Sequence, residues 1–179
     1  MSKKILIISA SPRENGNSEV LCKEFLSGAK SVNKEGELIS LRDMNIHYCN
    51  ACEWCVKNSG ECIHKDDISI ILNKMIHAEI IVMATPVHFC TMDARMKTLI
   101  DRTFARYKEL RNKTFYYIVT GADERKLAME RTLEEFRGFS NSLHKSREKG
   151  IILGTGTLKK GDIKGTLLMK KAYEMGSNL

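Results

Sequence analysis

Five short apolar runs alternate with five amphipathic stretches along this chain of 179 residues, and the alternation constrains the fold strongly. The apolar runs, interpreted as strands, cover residues 3–9, 37–41, 79–84, 114–120 and 150–154. The amphipathic stretches, interpreted as helices, cover residues 17–32, 66–77, 92–107, 126–142 and 166–176. Such alternation favours a parallel sheet with helices on both faces. We therefore predict one α/β domain over residues 1–179, with a doubly wound five-stranded sheet of order 2-1-3-4-5.

Individual residues predict where these elements begin and end. Asn17 or Ser18 is expected to cap the first helix, and Asp66 or Asp67 the second. The third strand is expected to end at Thr85-Pro86, and residues 43–66 to form a long irregular loop. A buried stripe is expected on the helix of residues 92–107, formed by Met92, Met96, Leu99, Ile100 and Phe104.

The charge and hydropathy of the chain bear on its partners. The net charge is +7, but the Lys and Arg residues are spread along the chain and form no basic run, so we expect no nucleic-acid partner. No stretch approaches the roughly 18 apolar residues of a membrane span. The first apolar run is too short for a signal peptide. We expect a cytoplasmic protein with no membrane association.

The predicted strand order places a crevice at one edge of the sheet. The winding direction reverses between the first and third strands, and ligands of such sheets bind where it reverses. The loops that border this crevice cover residues 9–18, 85–91 and 120–126. We expect a ligand among them.

The loop of residues 9–18 joins a buried strand to a helix N-terminus, which favours a bound phosphate. Donors are supplied by Ser9, Ser11, Arg13, Asn17 and Ser18. The single Gly16 fits neither the dinucleotide nor the nucleoside-triphosphate loop, because the other glycines and the lysine are missing. A monophosphate such as that of FMN fits better, although a polar connecting loop with an ordinary cap remains the alternative.

Three segments together carry a family resemblance. Ser9-Ala10-Ser11-Pro12-Arg13 with Gly16-Asn17-Ser18 resembles the phosphate loop of the NADPH-dependent FMN reductases of the flavodoxin-like superfamily. The segments 85–89 and 92–102 resemble the loop that cups the flavin ring in this family and the helix that follows it. The resemblance covers residues 3–125 well. It implies FMN as cofactor, NAD(P)H as electron donor, and a homodimer or homotetramer.

The second and third loops would then hold the flavin ring. The second supplies Thr85, Pro86, Val87, His88 and Phe89, which offer an apolar surface and backbone donors. His88 could approach the ring or a substrate, or be an ordinary loop histidine. The third loop supplies Thr120, Gly121 and Asp123, although Asp123 could equally cap the next helix.

Four of the six cysteines lie within a cysteine-rich insert, residues 47–66. Cys49, Cys52, Cys55 and Cys62 have the spacing C-x2-C-x2-C-x6-C, which could hold an iron–sulfur cluster, and it resembles the compact motif of the iron–sulfur flavoproteins. A [4Fe–4S] cluster, a structural zinc, a reversible disulfide and free thiols all stay open.

These features lead to two hypotheses about function. The first is an FMN-dependent oxidoreductase that passes electrons from NAD(P)H to a flavin, quinone, nitroaromatic or iron–sulfur acceptor. Because the flavin does the chemistry, we nominate no catalytic side chain. The alternative is an electron-transfer iron–sulfur flavoprotein or flavodoxin-like carrier without its own small-molecule substrate.

Overall fold

The computed structural model describes residues 4–179, and the first three residues lie outside the described part. The strands are β1 (Ile5–Ser9), β2 (Gly36–Ser40), β3 (Ile80–His88), β4 (Thr91–Met92), β5 (Thr114–Thr120) and β6 (Arg147–Gly154). The helices are α1 (Asn17–Ser31), α2 (Trp54–Lys57), α3 (Ile68–His77), α4 (Ala94–Arg102), α5 (Leu127–Asn141) and α6 (Leu167–Ser177). Among residues 4–179, none of the helices has the length and apolar composition needed to cross a bilayer.

The parallel sheet has the order β2-β1-β3-β5-β6, and β4 pairs only with the end of β3. Apart from this short strand, the order is the predicted 2-1-3-4-5, so the predicted doubly wound fold is confirmed. The register aligns Ser9 with Ala84, Pro86 with Thr120, and Thr120 with Gly154. The loops after β1, β3, β5 and β6 therefore leave the sheet at one edge.

Each face of the sheet is covered by its own set of helices. Residues of α3, α4 and α5 pack on one face, together with Leu6 and Ile8 of β1. Residues of α1 and α6 pack on the other face, with Ile5 and Ile7. The alternation along β1 thus supplies both cores, as expected for a strand buried on both sides.

The third strand and the helix after it differ from the prediction. β3 continues to His88 instead of ending at Thr85-Pro86, because β5 pairs with it as far as Pro86 and β4 pairs with Val87 and His88, whereas its pairing with β1 ends at Ala84. Pro86, which has no N–H to donate, is thus accommodated beside β5 alone. Met92 belongs to β4, and α4 begins only after Asp93, whose carboxylate accepts from the backbone N–H of Arg95 at 2.9 Å.

Three smaller predictions were also wrong. α4 ends at Arg102 and continues as a 3-10 segment over Thr103–Glu109, which leaves Phe104 52% exposed instead of buried. Neither Asn17 nor Ser18 caps α1, because the cap position is Gly16 and no side chain bonds there. The predicted loop of residues 43–66 contains the short helix α2. At α3 the cap position is Asp67, as predicted, but its side chain makes no cap hydrogen bond; the preceding Asp66 accepts from the Ile68 N–H at 3.3 Å.

Candidate functional site

A cleft lies at the edge of the sheet where the winding direction reverses. It has a volume of about 120 Å³, and residues from all three predicted loops line it. A fourth loop, which follows β6, also contributes through Thr157 and Leu158. Sequence reasoning missed this loop, although its position after the fifth parallel strand places it at the same edge as the other three.

The first loop is wound tightly on itself by its serines. The Ser11 hydroxyl donates to the carbonyl of Arg13 at 2.7 Å, and it accepts from the Arg13 N–H at 3.3 Å. The hydroxyl of the fully buried Ser9 accepts from the Ser11 N–H at 3.3 Å. A Cβ on Gly16 would lie 2.3 Å from Ser11 Oγ, so the loop has room only for glycine there. Ser9 thus shapes the loop from beneath, and it does not line the cleft.

The N-terminus of α1 opens into this cleft. No side chain caps it, and the Ser18 hydroxyl is buried with no hydrogen-bond partner. Free N–H groups and the positive end of the helix dipole favour an anion at such a terminus. A buried hydroxyl without a partner is costly unless a ligand completes it. This terminus therefore fits a phosphate group.

Asn17 and Arg13, which were also predicted to bind the phosphate, form hydrogen bonds with the loop after β6. The Asn17 amide donates to the carbonyls of Thr157 and Lys159 at 3.3 and 2.9 Å, and its oxygen accepts from the Gly161 N–H at 3.1 Å. Arg13 lines the cleft, and its guanidinium donates to the Leu158 carbonyl at 3.2 Å. These contacts bring the loop after β6 against the phosphate loop.

A buried carboxylate next to the phosphate loop is neutralised by cations. Glu19, in the first turn of α1, pairs with Arg42 and Lys23, each at 3.2 Å. Burial alone lowers the pKa of Arg42, but its hydrogen bonds with Glu19 and Asp43 outweigh this and raise it. Arg42 also approaches the Ser11 carbonyl at 3.4 Å. Sequence reasoning missed Arg42, which lies just beyond β2.

The second loop is a tight hairpin between β3 and β4. Pro86, Val87 and His88 line the cleft. Phe89 and Cys90 form the exposed tip with φ values of 45° and 68°, a left-handed conformation that is costly for such side chains. Thr85 is buried, and its hydroxyl accepts from the Asp93 N–H at 2.9 Å, so it anchors the start of α4.

The third loop is packed closely against the second. Thr120 and Gly121 line the cleft, and a Cβ on Gly121 would lie 3.2 Å from that of Val87. Asp123 lies outside the cleft lining, where it accepts from the Arg125 N–H at 2.9 Å. The side chain and backbone of Arg125 hydrogen-bond this carboxyl and lower its pKa to about 2.

A second, larger cavity of about 710 Å³ lies under the cysteine-rich insert. Its lining includes all four predicted ligands, which are Cys49, Cys52, Cys55 and Cys62. All four are free thiols, two of them exposed and two half-buried. Within residues 4–179, however, no three His, Cys, Asp or Glu side chains converge closely enough to hold a metal ion. Four cysteine thiols are suitable ligands for an iron–sulfur cluster, but here they lie too far apart to enclose one.

A buried ion pair closes the base of this insert. Arg102 of α4 contacts both carboxylate oxygens of Asp66, at 2.9 and 3.1 Å, and donates to the His47 carbonyl at 2.5 Å. Burial alone raises the pKa of Asp66, but the Arg102 hydrogen bonds, with those of the His47 and Ile68 N–H groups, lower it to about 2. Both ends of the insert are thus fixed to α4.

A doubly wound sheet of this order, with an uncapped helix N-terminus at its crevice, defines the flavodoxin-like class of α/β proteins. The sequence model of the NADPH-dependent FMN reductases matches residues 3–141. The chain therefore belongs to this family.

Individual relatives and structures agree with this assignment. An iron–sulfur flavoprotein of Methanocaldococcus jannaschii is 36% identical over 138 residues, which is 76% of this chain and 70% of the relative. One from Archaeoglobus fulgidus is 37% identical over 65% of this chain and 58% of the relative. An NAD(P)H:quinone oxidoreductase of Methanothermobacter marburgensis shares the fold, with a TM-score of 0.72, 15% identity, and 99% and 96% of the two chains covered.

Proposed function

We propose that this protein is an oxidoreductase that holds FMN in the cleft and passes electrons from NAD(P)H to a flavin, quinone, nitroaromatic or iron–sulfur acceptor. The observation that carries the proposal is the buried Ser18 hydroxyl without a partner, at the uncapped N-terminus of α1. Its position in the crevice is where a flavin phosphate would complete its hydrogen bonds. Membership in the FMN reductase family supports the same cofactor.

The residues of the cleft divide into two groups by what they would hold. Ser18 and the first amides of α1 would bind the phosphate, while Ser11, whose hydroxyl proton is donated to the Arg13 carbonyl, would hold the loop in shape. The backbone of residues 86–88 and 120–121 would border the ring. FMN would supply the redox chemistry, because it accepts a hydride from NAD(P)H and passes on the electrons. The protein's own contribution is to bind and orient the ring and to leave room for the donor and the acceptor.

Anaerobic mixing of the FMN-loaded protein with NADPH tests this proposal. We expect the visible band of oxidised flavin to be lost within minutes, and electrons to reach an added quinone. A band that persists with NADPH and NADH but is lost with dithionite would instead favour the alternative, a carrier reduced by another protein.

We also propose a [4Fe–4S] cluster held by Cys49, Cys52, Cys55 and Cys62. Its support is that these four thiols line one cavity, with the spacing expected for cluster ligands. The names of the two relatives above, both iron–sulfur flavoproteins, support it as well. The insert would have to draw its thiols together around the cluster, while the Asp66–Arg102 pair holds its base.

Iron analysis and absorption spectra of anaerobically purified variants test the cluster. The Cys52→Ser and Cys55→Ser variants should lose both iron and the broad cluster absorption, whereas the Cys90→Ser variant should keep them because Cys90 lies in the hairpin of the flavin cleft. Wild-type protein reconstituted with iron and sulfide that binds neither would contradict the cluster. Stoichiometric zinc in place of iron would point to a structural zinc site.

Assembly into a homodimer or homotetramer is a further part of the proposal. Large apolar side chains near the cysteine-rich insert are exposed, among them Tyr48, Trp54, Val56 and Phe104. Exposed apolar patches of this kind mark interaction surfaces. Sedimentation of the FMN-loaded protein should give a mass of two or four chains, and a single-chain mass would exclude this part.

A further inference from the structure

The cleft contains a histidine that lies beside a buried carboxylate. His88 lies on its wall, and its Nδ1 is 3.2 Å from Oδ2 of Asp93. The His88 side chain is 50% exposed, whereas that of Asp93 is 5% exposed. A carboxylate this close to one ring nitrogen favours a proton on that nitrogen and leaves the other nitrogen free to exchange a proton with a substrate.

Asp93 is itself rigidly placed. Its backbone N–H donates to the buried Thr85 hydroxyl at 2.9 Å, and its Oδ1 accepts from the Arg95 N–H at the same distance. The pairing of His88 with Thr91 fixes the backbone of the histidine. The arrangement is therefore pre-organised, as a catalytic pair has to be.

The surroundings of the pair are mainly cationic. Arg95 contacts Oδ1 of Asp93 at 3.3 Å, and Arg13 lines the same cleft as His88. Glu135 of α5 is occupied by the Thr91 hydroxyl and the Met92 N–H. Among the residues described that line this cleft, His88 is the one whose side chain carries two ring nitrogens that can each donate or accept a proton, whereas the arginine can only donate.

We propose that His88 is a catalytic residue that donates a proton to a quinone-type electron acceptor, and that Asp93 is the positioning residue that orients it. The proposal rests on the proposed flavin site, because the acceptor must reach the ring beside His88. The left-handed turn at Phe89 and Cys90 agrees with it, because strained backbone of this kind is concentrated at functional sites.

A quinone would receive two electrons and one proton as a hydride from reduced FMN, and a second proton from Nε2 of protonated His88. Both of its carbonyl oxygens would become hydroxyls, and the flavin would be left oxidised. His88 would be left neutral with its remaining proton on Nδ1, facing Asp93. Because half of the side chain is exposed, solvent can restore the lost proton.

Comparison of two electron acceptors tests the proposal, because ferricyanide takes electrons without protons. In the His88→Gln variant loaded with FMN, NADPH-dependent quinone reduction should fall about 100-fold more than ferricyanide reduction. Asp93→Asn should show the same selective loss, mainly in kcat. The matched control is His77→Gln, at the far end of α3, which should leave both rates unchanged. Parallel losses with both acceptors, or no loss with either, would overturn the proposal.

A second readout needs neither flavin nor turnover. Heteronuclear NMR of the imidazole nitrogens in the flavin-free protein should show neutral His88 with its proton on Nδ1, and Asp93→Asn should shift this tautomer preference. A His88 ring that prefers Nε2–H in the wild-type protein would overturn the assignment of roles. If the wild type fails to bind FMN or to oxidise NADPH, the proposed function itself fails, and this NMR result stands apart from that failure.

Discussion

Among the single residues of the cleft, a substitution at Ser18 should best separate an effect on FMN binding from an effect on the stability of the protein. Its hydroxyl is buried without a partner, so the flavin-free protein pays its desolvation cost with no hydrogen bond in return. We expect Ser18→Ala to leave the free energy of unfolding of the flavin-free protein unchanged or slightly raised. The same variant should bind FMN about 10- to 100-fold more weakly, because a hydrogen bond to a charged phosphate is lost.

Thr132 offers a matched control for this prediction. Its hydroxyl is likewise buried without a partner, but it lies in α5, away from the residues that line the cleft. Thr132→Val should have the same small effect on unfolding and no effect on FMN affinity. Flavin fluorescence titration and chemical denaturation measure the two quantities. Equal FMN affinities of Ser18→Ala and wild type would contradict a phosphate site at the N-terminus of α1.

Asp66 should make the free energy of unfolding depend on pH in the acid range. Because its folded-state pKa of about 2 is lower than its ordinary value of 3.8, its ionised form favours folding. That contribution is complete above pH 4 or so and is lost as the pH falls towards 2. It amounts to about 2 kcal/mol for a carboxylate this deeply buried. Asp66→Asn should therefore have a flatter stability profile in acid.

Replacement of Asp66 should also destabilise the protein at neutral pH. It leaves the buried Arg102 unpaired, which costs about 3–5 kcal/mol. Asp123 is the control, because its pKa is also about 2 but its partner Arg125 is largely exposed. Asp123→Asn should have a much smaller effect, since water screens such a pair. Urea denaturation across the acid range tests this, and identical pH profiles for wild type and Asp66→Asn would contradict a stabilising role for the Asp66–Arg102 pair.

The sequence supported some of these residue assignments and not others. The positions of Ser11, Gly16 and Ser18 on the lining of the cleft could be predicted, because the pattern of a buried strand, a polar loop and a helix start is local. The contacts of Asn17 with residues 157–161 and of Arg42 with Glu19 could not, since they join positions that are far apart in sequence. The contact of His88 with Asp93 also depends on the hairpin between β3 and β4. This hairpin could not be predicted from the sequence, because Phe89-Cys90 is an unusual pair of residues for such a turn.

At the scale of elements, the packing of α1 against α6 depends on two glycines. A Cβ on Gly176 would lie 2.0 Å from the Phe25 carbonyl oxygen, and one on Gly28 would lie 2.0 Å from that of Tyr173. Gly176→Ala should therefore force the helices apart and destabilise the protein by about 3 kcal/mol.

Gly138, which lies in α5, provides the matched control for the Gly176→Ala variant. A Cβ there meets nothing within 4 Å, so Gly138→Ala should stabilise the protein by about 1 kcal/mol through helix propensity alone. Thermal unfolding of the two variants should shift the midpoint in opposite directions. A Gly176→Ala variant as stable as wild type would mean that the two helices are not in such close contact.

The sequence predicted the type and order of the helices and strands better than it predicted the residues at which they begin and end. Apolar periodicity identified the five parallel strands and their helices, but it could not place the break between α4 and the segment after Arg102. There Phe104 continues the apolar pattern while its side chain faces the cysteine cavity. A residue that lines a functional cavity and one that fills a core look alike in sequence.

At the scale of the whole molecule, the order of the sheet determines which parts can work together. It gathers the loops after β1, β3, β5 and β6 into one cleft. The first three of these loops followed from the alternation of strands and helices, whereas the loop after β6 was missed. The insert that carries the four cysteines is anchored to α4 at both ends, through the contacts of Arg102 with the His47 carbonyl and with Asp66. No local pattern predicts such contacts, although the spacing of the cysteines indicated a shared ligand.

The proposed function depends on recognition of a flavin phosphate by the N-terminus of α1. Titration of the flavin-free protein with FMN and with riboflavin, which differ only in that phosphate, tests this most directly. We predict that FMN binds at least about 100-fold more tightly, as expected for several hydrogen bonds to a charged group, and that Ser18→Ala narrows the difference. Equal affinities for FMN and riboflavin would contradict the proposed function.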